Sequence, residues 1–180
     1  IGTSSEGYSG KFVISTGDGN DAITSAKVNN LDSIDMGAGD DTVALMLDGT
    51  NTVSISGADF TKLDGGAGND TLGFEESGSN TSELTLTLGG AVNFENLTGT
   101  AGAETIKGDN NDNILAGLNG LDTIYGYGGN DTLHAVSTSS SSESSNDILY
   151  GGAGNDTLYG STGDNTLDGG TGADTITTYS

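Results

Sequence analysis

In the C-terminal part of the chain one aliphatic residue recurs every nine positions, at Leu149, Leu158, Leu167 and Ile176, usually with threonine before it and a variable residue after it. Alternation along a strand sends that residue to one side and both neighbours to the other, so each unit predicts a very short strand feeding a thin aliphatic core. Between these strands lie six-residue segments of glycine, aspartate and asparagine, which predict turns.

The units are near-copies of one another. Residues 151–159 (GGAGNDTLY), 160–168 (GSTGDNTLD) and 169–177 (GGTGADTIT) abut without a gap, and 65–73 (GGAGNDTLG), 126–134 (GYGGNDTLH), 36–44 (MGAGDDTVA) and 16–24 (TGDGNDAIT) match the same pattern. Weaker copies place their aliphatic eighth residue at Ile34, Val53, Leu63, Leu97, Ile106, Ile114, Ile124 and Leu149. Glycines at positions one, two and four permit left-handed or crowded backbone that exposes carbonyl oxygens, and aspartate at position six adds a carboxylate. Calcium, a hard cation, takes about six to eight such oxygens at roughly 2.3–2.6 Å. The candidate calcium ligands are therefore Gly17, Gly19 and Asp21; Gly37, Gly39 and Asp41; Gly66, Gly68 and Asp70; Asp112 and Asp122; Gly126, Gly128, Gly129 and Asp131; Asp147; Gly151, Gly152, Ala153, Gly154 and Asp156; and Gly169, Gly170, Thr171, Gly172 and Asp174.

Composition makes a cation necessary rather than optional. Leu, Ile, Val and Phe supply 36 of 180 residues, 32 residues are glycine, and cysteine is absent, so neither a large core nor disulfides can hold the chain together. Four lysines (Lys11, Lys27, Lys62, Lys107) and no arginine face 26 acidic residues, a net charge of -22. Nucleic acid finds no basic patch here, and no run approaches the roughly 20 apolar residues needed for direct membrane insertion by a helix. The start at Ile1 and the stop straight after a complete repeat are expected of a segment cut from a longer chain. Catalysis is not expected: the single histidine, His134, falls at an outward position nine, and Glu75 and Glu76, as strand neighbours, would diverge.

The repeat resembles the calcium-binding nonapeptide of RTX proteins, G-G-x-G-x-D-x-U-x, over most of residues 16–177 and most strongly from residue 99 onward. The resemblance implies an all-β fold, a parallel β-roll in which each six-residue calcium-binding turn leads into a short strand. Successive strands alternate between two parallel sheets, with two repeats per coil. It also implies an extracellular or cell-surface module of a large type I secreted protein such as an adhesin, unfolded in the calcium-poor cytosol and folded by calcium after export. The alternatives are a carrier or polysaccharide-binding module of a secreted exoenzyme (epimerase, protease or lipase), or an ice-binding module of an adhesin using outward threonines such as Thr132, Thr157 and Thr175. Implied partners are calcium, neighbouring domains of the longer chain, and a carbohydrate or other surface ligand. With 18 residues per coil, aspartates 18 apart would lie about 4.8 Å apart. Two bare carboxylates at that spacing repel by about 3–4 kcal/mol at an effective dielectric of about 20, so calcium is expected to be a condition of folding.

Along the chain, residues 1–98 read as irregular, degenerate repeats with an insertion, and 99–180 as a regular roll interrupted by a Ser-rich surface loop at 137–145. Sorted by side, Asp112, Asp131, Asp156 and Asp174 fall on one edge and Glu104, Asp122, Asp147 and Asn165 on the other, with the first edge expected to hold more calcium. In the irregular half, Asp21 and Asp41 fall on one edge, and Asp32, Asn51 and Asp70 on the opposite one.

Overall fold

A computed structural model of the chain describes residues 13–26, 33–45, 63–74, 83–85, 91–136 and 145–179. These residues contain strands and turns and no helix, and every strand pairing among them is parallel.

One face of the roll is an eight-stranded sheet of β2 (Ala22–Ala26), β4 (Thr42–Leu45), β6 (Thr71–Phe74), β8 (Asn96–Thr98), β10 (Ile114–Ala116), β12 (Thr132–His134), β14 (Thr157–Tyr159) and β16 (Thr175–Thr177), paired in that order. It runs through residue 98 without a break. The other face comprises a three-stranded sheet of β1 (Val13–Ser15), β3 (Ser33–Asp35) and β5 (Leu63–Asp64), and a five-stranded sheet of β7 (Glu83–Thr85), β9 (Thr105–Lys107), β11 (Thr123–Gly128), β13 (Ile148–Ala153) and β15 (Thr166–Thr171). From β8 onward, successive strands alternate between the two faces, which is the two-sheet parallel β-roll expected from the repeat.

Position eight of each repeat forms the core as a set of ladders, because parallel in-register strands stack like residues on like. Leu97, Leu115, Leu133 and Leu158 lie in register on the eight-stranded face, and Ile106, Ile124, Leu149 and Leu167 on the five-stranded face. All but Leu167 are buried, and Leu167 packs against the same cluster. From β8 to β15 each strand gives this cluster one large aliphatic residue, whereas β4 gives both Val43 and Leu45.

The structure corrects three expectations. The repeat ending near residue 114 is slipped by one: Leu115 is buried and Ile114, its neighbour, is 47% exposed, with Leu115 paired to Leu133. A slip of one residue exchanges the faces of a strand, and two adjacent aliphatic residues left the choice open in the sequence. Asp70 sits on the same edge as Asp21 and Asp41, since β4 pairs β6 directly. Ser145 belongs to a buried turn, 7% exposed, rather than to the surface loop. Asp32, Asn51, Val53, Glu75, Glu76 and residues 137–144 lie outside the described residues.

The outward position-nine side chains cover themselves. Tyr125 stacks on Tyr150 with centroids 5.1 Å apart and on Tyr127 at 5.9 Å, and His134 stacks on Tyr159 at 4.7 Å. The threonine file Thr132, Thr157 and Thr175 is in register but passes to Ile114 on the next strand.

Candidate metal centres

Each turn carries the chain from one face to the other in six residues, and in the regular turns the backbone does this with left-handed residues at positions two and four. Gly152 (φ 115°) and Gly154 (φ 145°) are examples, as are Gly37 and Gly39, and Gly170 and Gly172. Position one behaves differently from the expectation: its glycines are absent from the left-handed set, and they are needed for room. A Cβ on Gly126 would run into Oδ2 of Asp131 and the carbonyl oxygen of Gly151, and one on Gly151 into Oδ2 of Asp156 and the carbonyl of Gly169. The position-six carboxylate and the position-one carbonyl of the next coil therefore border one small space.

Two ladders of hydrogen bonds join successive turns. At position six the N–H of each residue donates to the carboxylate of the following coil: Asp21 to Asp41 Oδ1 at 2.7 Å, Asp41 to Asp70 Oδ1 at 2.7 Å, Asp131 to Asp156 Oδ1 at 2.8 Å, and Asp156 to Asp174 Oδ1 at 2.9 Å. On the opposite edge Glu104 donates to Asp122 Oδ1 at 2.8 Å and Asp122 to Asp147 Oδ1 at 3.0 Å. At position five the direction reverses, Asn130 donating to Asp112 Oδ1 and Asn155 to Asn130 Oδ1. This places Asp112 at the exposed position five. Asn113, whose N–H donates to Asp131 Oδ1, takes position six, so the step to Asp131 is 18 residues rather than 19. The carbonyls of Ala153 and Thr171 accept N–H bonds from Gly129 and Gly154.

With one carboxylate oxygen held by the ladder, the other is left over. Oδ2 of Asp21, Asp41, Asp70, Asp122, Asp131 and Asp156 is buried and has no hydrogen-bond partner. Such an atom is costly unless a cation faces it. Among the described residues no three His, Cys, Asp or Glu side chains converge, so beside the inward carboxylate at position six only turn carbonyls border the space. An all-oxygen set of carboxylates and carbonyls suits calcium or another hard cation. Position six is occupied by neutral Asn113 and Asn165 in two turns, and Asn113 closes on itself by accepting the Asp109 N–H at 2.8 Å.

Two residues not marked by the sequence reading carry the same geometry. Leu118 (φ 76°) and Tyr127 (φ 77°) occupy position two of their turns in the left-handed region despite having side chains. Such strain costs roughly 1–3 kcal/mol per residue and persists where the surroundings impose it. Counting nine residues at a time from the regular repeats would have located both.

Burial pushes the carboxyl of Asp131 up to about 7 and that of Asp122 up to about 8, and the neighbouring Asp156 and Glu104 charges add to the effect. The folded-state values stand above the ordinary one. Protons therefore stabilise the cation-free roll, fully below about pH 4, and that stabilisation is lost as pH rises through about 7–8. Calcium-stripped protein is expected to be disordered at neutral pH and to gain β signal by circular dichroism as the pH is lowered to about 5. A spectrum that stays disordered across that range would contradict the assignment of these carboxylates.

No curated protein matches the chain. The family model of the RTX calcium-binding nonapeptide repeat matches it in four copies, over residues 56–72, 98–135 and 142–176, together half of its length. With the parallel roll, the left-handed turns and the unpartnered carboxylates on the same repeats, the chain belongs to the RTX calcium-binding nonapeptide repeat family.

Proposed function

We propose that this is an extracellular structural module of a larger secreted protein such as an adhesin, which folds when it meets calcium, with residues 1–98 and 99–180 acting as one array. The observation that supports this most is the set of six buried, unpartnered Oδ2 atoms. A divalent cation, when bound, supplies the positive charge that lets stacked carboxylates close. The position-six carboxylates would hold it with turn carbonyls, while their Oδ1 atoms already carry the N–H of the preceding coil. Extracellular modules typically bind calcium at about 10⁻⁴–10⁻³ M, a range that leaves such a chain open in a calcium-poor cytosol and closes it outside. The module has no catalytic role in this reading, and His134 is a surface residue covered by Tyr159.

Asp156→Asn tests the proposal, because the amide keeps an oxygen for the Asp131 N–H while removing the charge. The calcium midpoint for folding, followed by circular dichroism, is expected to rise about tenfold, since ligand charge tunes affinity. An unchanged midpoint would show that the carboxylate serves only the hydrogen-bond ladder.

A further inference from the structure

One turn stack on the second edge is satisfied in a different way. Asp147, fully buried, receives the Ser145 hydroxyl on Oδ2 at 2.6 Å and the Ser161 hydroxyl on the same atom at 3.1 Å. Its N–H donates to Asn165 Oδ1 at 2.9 Å, and Asn165 Nδ2 donates to the Ser161 carbonyl at 2.9 Å. Both serines are buried and 3.3 Å apart. Ser161 stands at position two of the turn 160–165, where the regular turn has Gly152, and does not adopt the positive φ of that glycine, while Gly163 at position four does; Ser145 precedes Asp147 by two residues on the preceding coil. The turn at 99–104 follows the same rule: Thr100, at position two without a positive φ, gives its hydroxyl to Glu104 Oε1. Between these two turns Leu118 is left-handed at position two, and Asp122 keeps an unpartnered Oδ2.

We infer that the conformation at position two decides which turns take a cation, and that the Ser145, Ser161, Asp147 and Asn165 cluster is a cation-free clasp in which buried hydroxyls occupy the place of the ion. The inference rests on the proposed calcium reading and divides the turns within it. A hydroxyl donor satisfies a carboxylate oxygen as a neutral hydrogen bond does, without bringing positive charge. The neutral Asn165 in the adjoining coil removes the like charge that would otherwise need balancing. The clasp sits directly after residues 137–144, so within the folded roll this stack is held by its own side chains and takes no ion of its own.

The test is an anomalous-scattering map of the full chain crystallised in calcium, with calcium stoichiometry measured in solution for the wild type and for the double variant Ser161→Gly, Asn165→Asp. The expected map has ions beside Asp131 and Asp156 and none beside Asp147, and the double variant, which restores the regular turn, binds one ion more than the wild type. An ion beside Asp147 in the wild type overturns the clasp, as does an unchanged stoichiometry in a folded double variant. Should that variant not fold, the wild-type map decides alone. Absence of ions from every turn would instead defeat the calcium reading itself.

Discussion

Removal of calcium is expected to unfold this roll outright. In excess chelator at neutral pH the far-UV circular dichroism should be that of a disordered chain, and β signal should return as calcium reaches the millimolar range. The driving forces are lopsided. The core is only one or two apolar residues per strand, while Asp131, Asp156 and Asp174 stack on one edge and Asp122 and Asp147 on the other, each linked to the next by one backbone hydrogen bond. Each adjacent pair of bare carboxylates costs about 3–4 kcal/mol at an effective dielectric of about 20. Against a typical net stability of about 5–15 kcal/mol, a few such pairs are decisive. Magnesium should substitute poorly, because it demands octahedral geometry and retains its water. A β spectrum indifferent to chelator would refute the coupling of folding to calcium.

Gly154→Ala should be nearly as damaging. Gly154 has φ 145°, and a Cβ there would collide with the carbonyl oxygen of Gly129 in the preceding coil. The strained dihedral and the steric overlap cost roughly 1–3 kcal/mol each, together about 2–6 kcal/mol. Since about 1.4 kcal/mol corresponds to a tenfold change, the calcium needed to fold the variant should rise more than tenfold. Gly73→Ala provides the comparison. Gly73 lies within β6 without a positive φ, the nearest atom to its Cβ would be 3.8 Å away, and the change should leave folding within error of the wild type. Equal calcium midpoints for the two variants would show that the turn backbone does not require glycine at position four.

Much of this molecule is local, and the local part was legible. A nine-residue period with one aliphatic residue per unit predicts short strands, and the resemblance to the RTX repeat implies that those of Leu149, Leu158 and Leu167 are parallel and alternate between faces, as they do. The carboxylates of Asp131 and Asp156 and the left-handed glycines 152 and 154 were found from residue type alone, because only glycine takes that conformation at low cost. The failures fall where two residues of the same kind competed, or where the chain departs from its period. At 112–115 an Asp-Asn-Ile-Leu run offered two registers, and only pairing of Leu115 with Leu133 chose between them. Spacing puts Asp70 on the wrong edge, because the irregular stretch before it hides how many turns separate it from Asp41. Only the packed roll decided that Ser145 and Ser161 would meet on Asp147. Ser145 and Ser161 stand 16 residues apart in the chain and become neighbours only because consecutive coils stack one strand spacing apart. The sequence by itself thus determined the repeat, its strands and the chemistry of its turns, since these depend on residues within one unit; tertiary structure decided which coil each turn rests on, and with it which carboxylate oxygens are buried without a hydrogen-bond partner.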